Sequence, residues 1–357
     1  MCKALMQDIS KDLQSDVMDA IARARPLCIQ GGGSKSFYGR EARGRVLNVS
    51  EHCGILHYEA SELVITARCG TPLEVIETSL AEQGQMLGFE PPRFGLRPTL
   101  GGAVASGLSG PRRPFSGSVR DFVLGCRIIN GRGEILSFGG EVMKNVAGYD
   151  LSRLMAGSLG TLAVLLEVSL KVIPRPEMEL TLRQEMNEPE AIEKMNSWMG
   201  RALPISALAW HRGLGYIRLS GGRYAVTAAS RILGGEQIES EPEFWSLLRD
   251  QKLPFFCEPG NLWRLSLESA APVIELSGDW FYEWGGAQRW FVSQNSAQSL
   301  FETASIYGGH ATLFRADANR ESVFQPLSEE VGRIHQRLKM AFDPHGMLNP
   351  GRIYSGW

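Results

Sequence analysis

The stretch Pro98–Gly125, PTLGGAVASGLSGPRRPFSGSVRDFVLG, decides how the rest of the chain is read. Seven glycines fall between Gly95 and Gly125, interleaved with small residues and with Arg112, Arg113 and Arg120. Glycine lets backbone approach a ligand closely and adopt positive φ. Exposed N–H groups beside arginines suit a phosphate or another flat, anionic ligand. Leu100, Val104, Leu108, Val119 and Phe122 keep punctuating the run, so it has neither the period of collagen nor the polarity of a disordered linker. A second glycine loop, Gln30–Lys35 (QGGGSK), makes a bland surface loop the weaker reading of both.

That second loop follows a short apolar strand, Leu27-Cys28-Ile29. A strand running into glycines invites a dinucleotide fingerprint, but that pattern needs G-x-G-x-x-G and an acid on the next strand. Ser36 occupies the third glycine position and Arg45–Val49 carries no acid. Lys35 lacks the upstream glycine spacing of a P-loop. A compact anion-binding nest of another type remains.

At 357 residues, two domains are the natural expectation. A net charge of −2 argues against a nucleic-acid surface. The six cysteines contain no C-x-x-C pair, which excludes a ferredoxin-type cluster and a zinc ribbon in this chain. The N-terminus resembles no secretory signal, so reduced thiols and a cytoplasmic setting are expected, with any membrane association peripheral and through partners. Leu154–Ile173 is apolar, but Leu162, Val164, Leu166, Val168, Leu170 and Val172 alternate with period two. That predicts a long central strand over 161–173, and no membrane span.

In chain order, Ile9, Leu13, Val17 and Ile21 predict an amphipathic helix over 8–23. Val46–Val49 and Leu63–Ala67 read as strands. Thr71 as N-cap, Pro72 and Glu74 predict a capped helix start. A hairpin follows, Phe122–Ile129 with Glu134–Phe138. Pro174-Arg175-Pro176 is a natural boundary. Beyond it, seven of the eight tryptophans fall between Trp198 and Trp290. Ser328 caps a last helix whose Val331, Ile334, Leu338 and Ala341 share a face. The expected domains are 1–175, 176–326, and a tail 327–357 returning to the first.

Four blocks in this order carry a resemblance: Gln30–Lys35, Pro98-Thr99-Leu100-Gly101-Gly102, Gly157-Ser158-Leu159-Gly160-Thr161, and Phe342-Asp343-Pro344-His345-Gly346-Met347-Leu348-Asn349-Pro350-Gly351. Together they resemble the FAD-binding flavoproteins of the vanillyl-alcohol oxidase, or PCMH, type. Within that group the chain resembles the FAD-binding (E) subunits of bacterial glycolate oxidases, through Lys144-Asn145-Val146-Ala147-Gly148-Tyr149-Asp150, Trp284–Trp290 (WGGAQRW) and Gly309-His310-Ala311-Thr312. The resemblance implies an α+β fold: a two-subdomain PCMH-type FAD domain with an inserted α+β cap. It implies cofactor contacts from Gln30, Gly31, Gly32, Gly33, Ser34 and Lys35 along the pyrophosphate. It also implies contacts from Pro98, Thr99, Gly101, Gly102, Gly107, Ser109 and Gly110 around the flavin, and from Gly157, Gly160 and Val164 near the adenine and ribose.

Some members attach FAD through a histidine in the first loop; Gly31-Gly32-Gly33 stands there instead, so non-covalent FAD is expected. Related D-2-hydroxyacid dehydrogenases hold a metal with a histidine pair and an acid. None of the six histidines here forms such a motif, so no metal is expected. His310 and Arg315 are the catalytic candidates, Arg315 for its fork of donors toward a carboxylate. The resemblance implies a subunit that oxidises a small 2-hydroxyacid, glycolate, and passes electrons onward. The partners would be a catalytic FAD/metal subunit and an iron–sulfur subunit. An autonomous FAD-linked dehydrogenase and a scaffold with a vestigial flavin pocket stay open at this point. Trp280, Trp284 and Trp290 read either as a partner interface or as cap core.

Overall fold

The computed structural model describes residues 6–140, 150–238, 241–316 and 321–356, with backbone alone at 241 and 242. Of the block Lys144–Asp150, all but Asp150 lie outside the described residues. The chain forms two compact units. The first comprises Met1–Leu108, Ser118–Pro174 and Pro326–Trp357; the second comprises Ser109–Gly117 and Arg175–Gln325.

In the first unit, helix Ser10–Ala22 starts where the Asp8 carboxylate accepts the Ser10 N–H at 2.9 Å, and it buries Leu13, Val17 and Ala20. Strand Leu27–Gln30 pairs in parallel with Arg45–Asn48. A five-stranded antiparallel sheet follows in the order Ile55–Glu59, Val64–Arg68, Ala163–Lys171, Val123–Asn130, Ile135–Gly139. The strand anticipated from the alternating run is therefore the central one, and both its faces are covered. Val164 and Leu166 join Leu13, Val17, Leu27 and Leu47 in one core. Ala163, Leu165, Val168 and Leu170 join Leu73, Ile76, Leu100 and Val104 in another. The change of parity coincides with an irregularity opposite Arg127 and Ile128.

Helix Leu73–Glu82 begins without the cap read from the sequence. Pro72 holds the N-cap position. The Thr71 hydroxyl is engaged elsewhere, accepting the Gly54 N–H at 2.8 Å and facing the Gly54 carbonyl at 3.3 Å. Ser328 does cap helix Glu329–Phe342, accepting the Val331 N–H. The apolar stripe of that helix is largely open: Val331 and Ile334 are exposed, while Lys339 and Phe342 are buried.

His52 is completely buried and its Nδ1 accepts the Ile9 N–H at 3.2 Å, which leaves the ring proton on Nε2. Nε2 has no partner among the described residues. Burial holds the imidazole below its ordinary value of 6.5, against the pull of Asp8. The folded state therefore resists a proton that the unfolded state takes up as pH falls through 6.5. This contribution to stability is complete above pH 6.5 and declines below it. Denaturant unfolding at pH 7.5 and 5.5 should show the wild type losing stability on acidification. His52→Gln should lose less over the same interval; an equal loss in both would refute the assignment.

The second unit is built on one eight-stranded sheet, ordered Glu236–Gln237, Met178–Glu185, Leu214–Gly221, Ile205–His211, Trp280–Glu283, Gln288–Ser293, Asn261–Ser266, His310–Arg315. Helices Glu188–Met199, Arg223–Leu233 and Ala297–Ile306 bury their apolar faces in its core. Trp280, Trp284 and Trp290 are each at least nine-tenths buried within this unit, and Trp280 stacks on Phe291 at 4.2 Å. That excludes the reading of the three as an exposed partner interface. The segment Ser109–Gly117 belongs here too. Arg112 pairs with Glu179 and donates to Ser220, Arg113 lies 4.3 Å from the Trp284 ring centroid, and Trp284 Nε1 donates to the Gly110 carbonyl. Arg112 and Arg113 thus both make contacts inside this unit.

Candidate FAD site

The first unit contains an open cleft of about 910 Å³, solvent-open space included. Both glycine loops meet in it. Gln30, Gly31, Gly32, Gly33, Ser34 and Lys35 line one wall, and Thr99, Gly101 and Gly102 another. The two walls touch at glycines that can carry no side chain. A Cβ on Gly32 would lie 1.5 Å from the Arg97 carbonyl oxygen, and one on Gly31 would lie 2.6 Å from Thr99 Oγ1. Strand Leu27–Gln30 delivers the first loop. Helix Leu100–Ser106, capped by Thr99, delivers the second block.

The loops differ in what they offer. The backbone N–H groups of Gly31, Gly32, Gly33 and Ser34 have no hydrogen-bond acceptor among the described residues. Four consecutive free donors beside Lys35 and Arg352, with no acid among the residues lining the cleft, are chemically suited to an anion. At the helix start the donors are already used: Leu100 N–H goes to the Thr71 carbonyl, Gly101 N–H to the Cys69 carbonyl, and Gly102 N–H to Thr99 Oγ1. Gly101 serves close packing, since a Cβ there would lie 2.6 Å from Cys69 Cβ. Gly102 meets only Thr99 Oγ1, at 3.2 Å, and so leaves room for a ligand. Burial pushes the Cys69 thiol well above its ordinary value, so this cleft residue stays neutral. Ile29, Val49, Ala163 and Leu165 add apolar lining. A pyrophosphate with flat rings at its ends fits this set of donors, cations and apolar walls.

The remaining candidates are placed differently. Gly160 lines the cleft, whereas Gly107 and Gly157 pack against each other: a Cβ on Gly107 would lie 2.8 Å from the Gly157 Cα. Val164 points its side chain into the core, and its strand neighbours Ala163 and Leu165 face the cleft instead. Pro98 is buried outside the lining, its carbonyl accepting the Leu73 N–H. Ser109 and Gly110 lie in the second unit.

His310 and Arg315 stand at opposite ends of one strand, about 16 Å apart at ~3.3 Å per residue. The Arg315 guanidinium donates to the Phe256 carbonyl at 3.0 Å and to Gln251 Oε1 at 2.8 Å. Its fork is thus committed to holding the second unit, against the expectation that it awaits a substrate carboxylate. His310 is exposed as a residue, with its ring pKa lowered by partial desolvation and then by Arg264. Among the described residues no group of three His, Cys, Asp or Glu could hold a metal ion. No described helix is long and apolar enough to cross a membrane.

Asn349 and Arg352 were not among the residues anticipated, yet both line the cleft. The run Leu348-Asn349-Pro350-Gly351 is a turn signal, and Asn349 takes a left-handed φ of 42°. That was the available hint.

Residues 10–139 match the family of the FAD binding domain. The chain is 52% identical over 348 residues to the glycolate oxidase subunit GlcE of Escherichia coli K12, covering 98% of each chain. It is 32% identical over 161 residues to the glycolate oxidase subunit GlcD of Bacillus subtilis 168, covering 44% of this chain and 34% of that one. Among solved structures, p-cresol methylhydroxylase with substrate bound superposes with a TM-score of 0.72 over 98% of this chain and 88% of that one, at 14% identity. That last likeness establishes the PCMH-type fold and nothing further.

Proposed function

Because the chain belongs to the family of the glycolate oxidase subunit GlcE, we propose that it is the FAD-binding subunit of an oxidoreductase acting on a small 2-hydroxyacid, with glycolate as donor and glyoxylate as product. The observation that carries this reading is identity across the whole length, both units included. The cleft supports it: free N–H groups at Gly31–Ser34, with Lys35 and Arg352 alongside, supply what a pyrophosphate needs. FAD, when bound, supplies the two-electron acceptor for oxidising CH–OH to C=O. The chain's own residues hold and orient it. With Gly31-Gly32-Gly33 where a histidine link would stand, the flavin is held without a covalent bond, and acid precipitation should leave the yellow colour in the supernatant.

The finer arrangement is also proposed. A GlcD-like FAD/metal subunit and an iron–sulfur subunit complete the complex, and any membrane contact is made through them from the cytoplasm. The chain carries no cysteine pair of the ferredoxin type, so onward electron transfer falls to another chain. Arg315 is committed to internal bonds, and the charged neighbour acting on His310 is a cation, Arg264. The isolated chain should therefore not oxidise glycolate at the rate of the assembled enzyme. Anaerobic mixing with glycolate, followed at the flavin absorbance, tests this. Bleaching on the turnover timescale only after the GlcD-like subunit is added is expected; bleaching by the isolated chain would establish an autonomous dehydrogenase instead.

A further inference from the structure

The free donors of the first loop pose a mechanical question. Gly31, Gly32 and Gly33 are costly to order, and their N–H groups make no bond within the described protein. Apart from the Gly33 carbonyl, which accepts the Ser36 N–H and hydroxyl, the loop is held through the residues that follow. Arg352 holds them. Its Nη1 donates to the Arg40 carbonyl at 2.7 Å, and its Nη2 reaches the carbonyls of Tyr38 at 2.6 Å, Ser36 at 3.1 Å and Lys35 at 3.4 Å. Two reciprocal bonds close the clasp: Arg40 N–H to the Arg352 carbonyl, and Arg40 Nε to the Gly351 carbonyl. Only a planar fork of donors can gather so many carbonyls, which an ammonium group cannot.

Asn349 sets the register. Its Oδ1 accepts the Ile29 N–H at 2.7 Å, its Nδ2 donates to the Leu159 carbonyl at 2.7 Å, and its own N–H goes to the Leu27 carbonyl. One side chain thereby ties the tail to the strand that feeds the first loop and to the turn that presents Gly160.

Resting on the assignment of the cleft to FAD, we propose that the tail Asn349–Arg352 is a latch for the cofactor. Arg352 is a positioning residue that holds Lys35–Arg40 so that the Gly31–Ser34 donors stay free for the pyrophosphate. Tail docking and FAD binding are then coupled, and by linkage each strengthens the other.

The test uses the full chain and FAD itself. Arg352→Gln should raise the FAD dissociation constant, measured by flavin fluorescence, by about tenfold or more, and Arg352→Lys should recover only part of it. In the wild type, saturating FAD should slow release of the C-terminal residues by carboxypeptidase and slow amide exchange over 35–40. A merely structural arginine would lower the melting temperature of the apo-protein without making tail digestion depend on FAD. Affinity within about fivefold of wild type in Arg352→Gln, below the usual range of coupling effects, would overturn the latch alone. So would wild-type tail digestion indifferent to FAD, which decides the matter even if the variant fails to fold. A wild-type chain that takes up no FAD would overturn the assignment of the cleft and the latch with it.

Discussion

Gly102→Asp should abolish FAD binding and leave the fold standing. Gly102 occupies the third position of helix Leu100–Ser106, after the Thr99 cap. A Cβ there meets only Thr99 Oγ1, at 3.2 Å, so the first atom of a side chain can be accommodated. An acidic residue in the first turn is electrostatically welcome to the helix itself. The carboxylate would nonetheless enter the cleft that Gly102 lines, toward Lys35, Arg352 and the free N–H groups of Gly31–Ser34. There it would repel the pyrophosphate and compete for its donors. Affinity should fall by about a hundredfold or more, corresponding to ~2.7 kcal/mol, while Gly102→Ala should lose far less. The apo-protein should melt within about 3 °C of wild type. Flavin content after purification and a fluorescence titration give the result; a variant purified with a full complement of FAD would sink the argument.

The contrast between Gly102 and its neighbours explains how much of the site could be read in advance. Glycine enrichment marked both loops, and both reach the cleft. Composition cannot say why a glycine is needed, because ligand access and backbone packing both demand the absence of Cβ. Gly101 against Cys69 and Gly107 against Gly157 are of the packing kind. Nor could the run Pro98–Gly125 reveal that it divides near Leu108, its next nine residues joining the second unit.

Strand parity decides where Val164 lies. Alternation correctly gave a central strand, but on a strand covered on both faces every residue is apolar, and the pattern does not say which parity faces the ligand. Asn349 and Arg352 left still less local signal. Their partners lie in residues 27–40, at the far end of the chain, and at Leu159 in its middle, and the bonds run largely to backbone carbonyls that any residue would supply. The second unit was legible in outline from its tryptophans. The committed state of Arg315 was not, since a strand arginine bound to Phe256 and Gln251 looks the same in sequence as one awaiting a substrate.

Lys339→Met should destabilise the fold severely, although the sequence presents Lys339 as an ordinary helix-surface lysine. It is buried, and each of its three ammonium protons has a partner: Asp343 Oδ2 at 2.5 Å, the Thr161 carbonyl at 2.7 Å and the Leu348 carbonyl at 3.0 Å. Asp343 is wholly buried and also accepts the N–H groups of Met347 and Leu348. The pair therefore joins the end of helix Glu329–Phe342 to the residue after Gly160 and to the residue before Asn349, both of which line the cleft. Burial lowers the Lys339 pKa, against the opposing pull of Asp343. Methionine keeps the length and removes the charge, leaving Asp343 buried without a counter-ion, at a cost of about 3–5 kcal/mol. Adding Asp343→Asn removes the stranded charge, so the double variant should lose less than the two single variants summed, by about 1–3 kcal/mol. Urea unfolding of the four apo-proteins supplies the cycle. Because both tethers lead to cleft residues, FAD affinity should fall in Lys339→Met as well. Strict additivity, or a single variant as stable as wild type, would show that the buried pair does not fasten the tail.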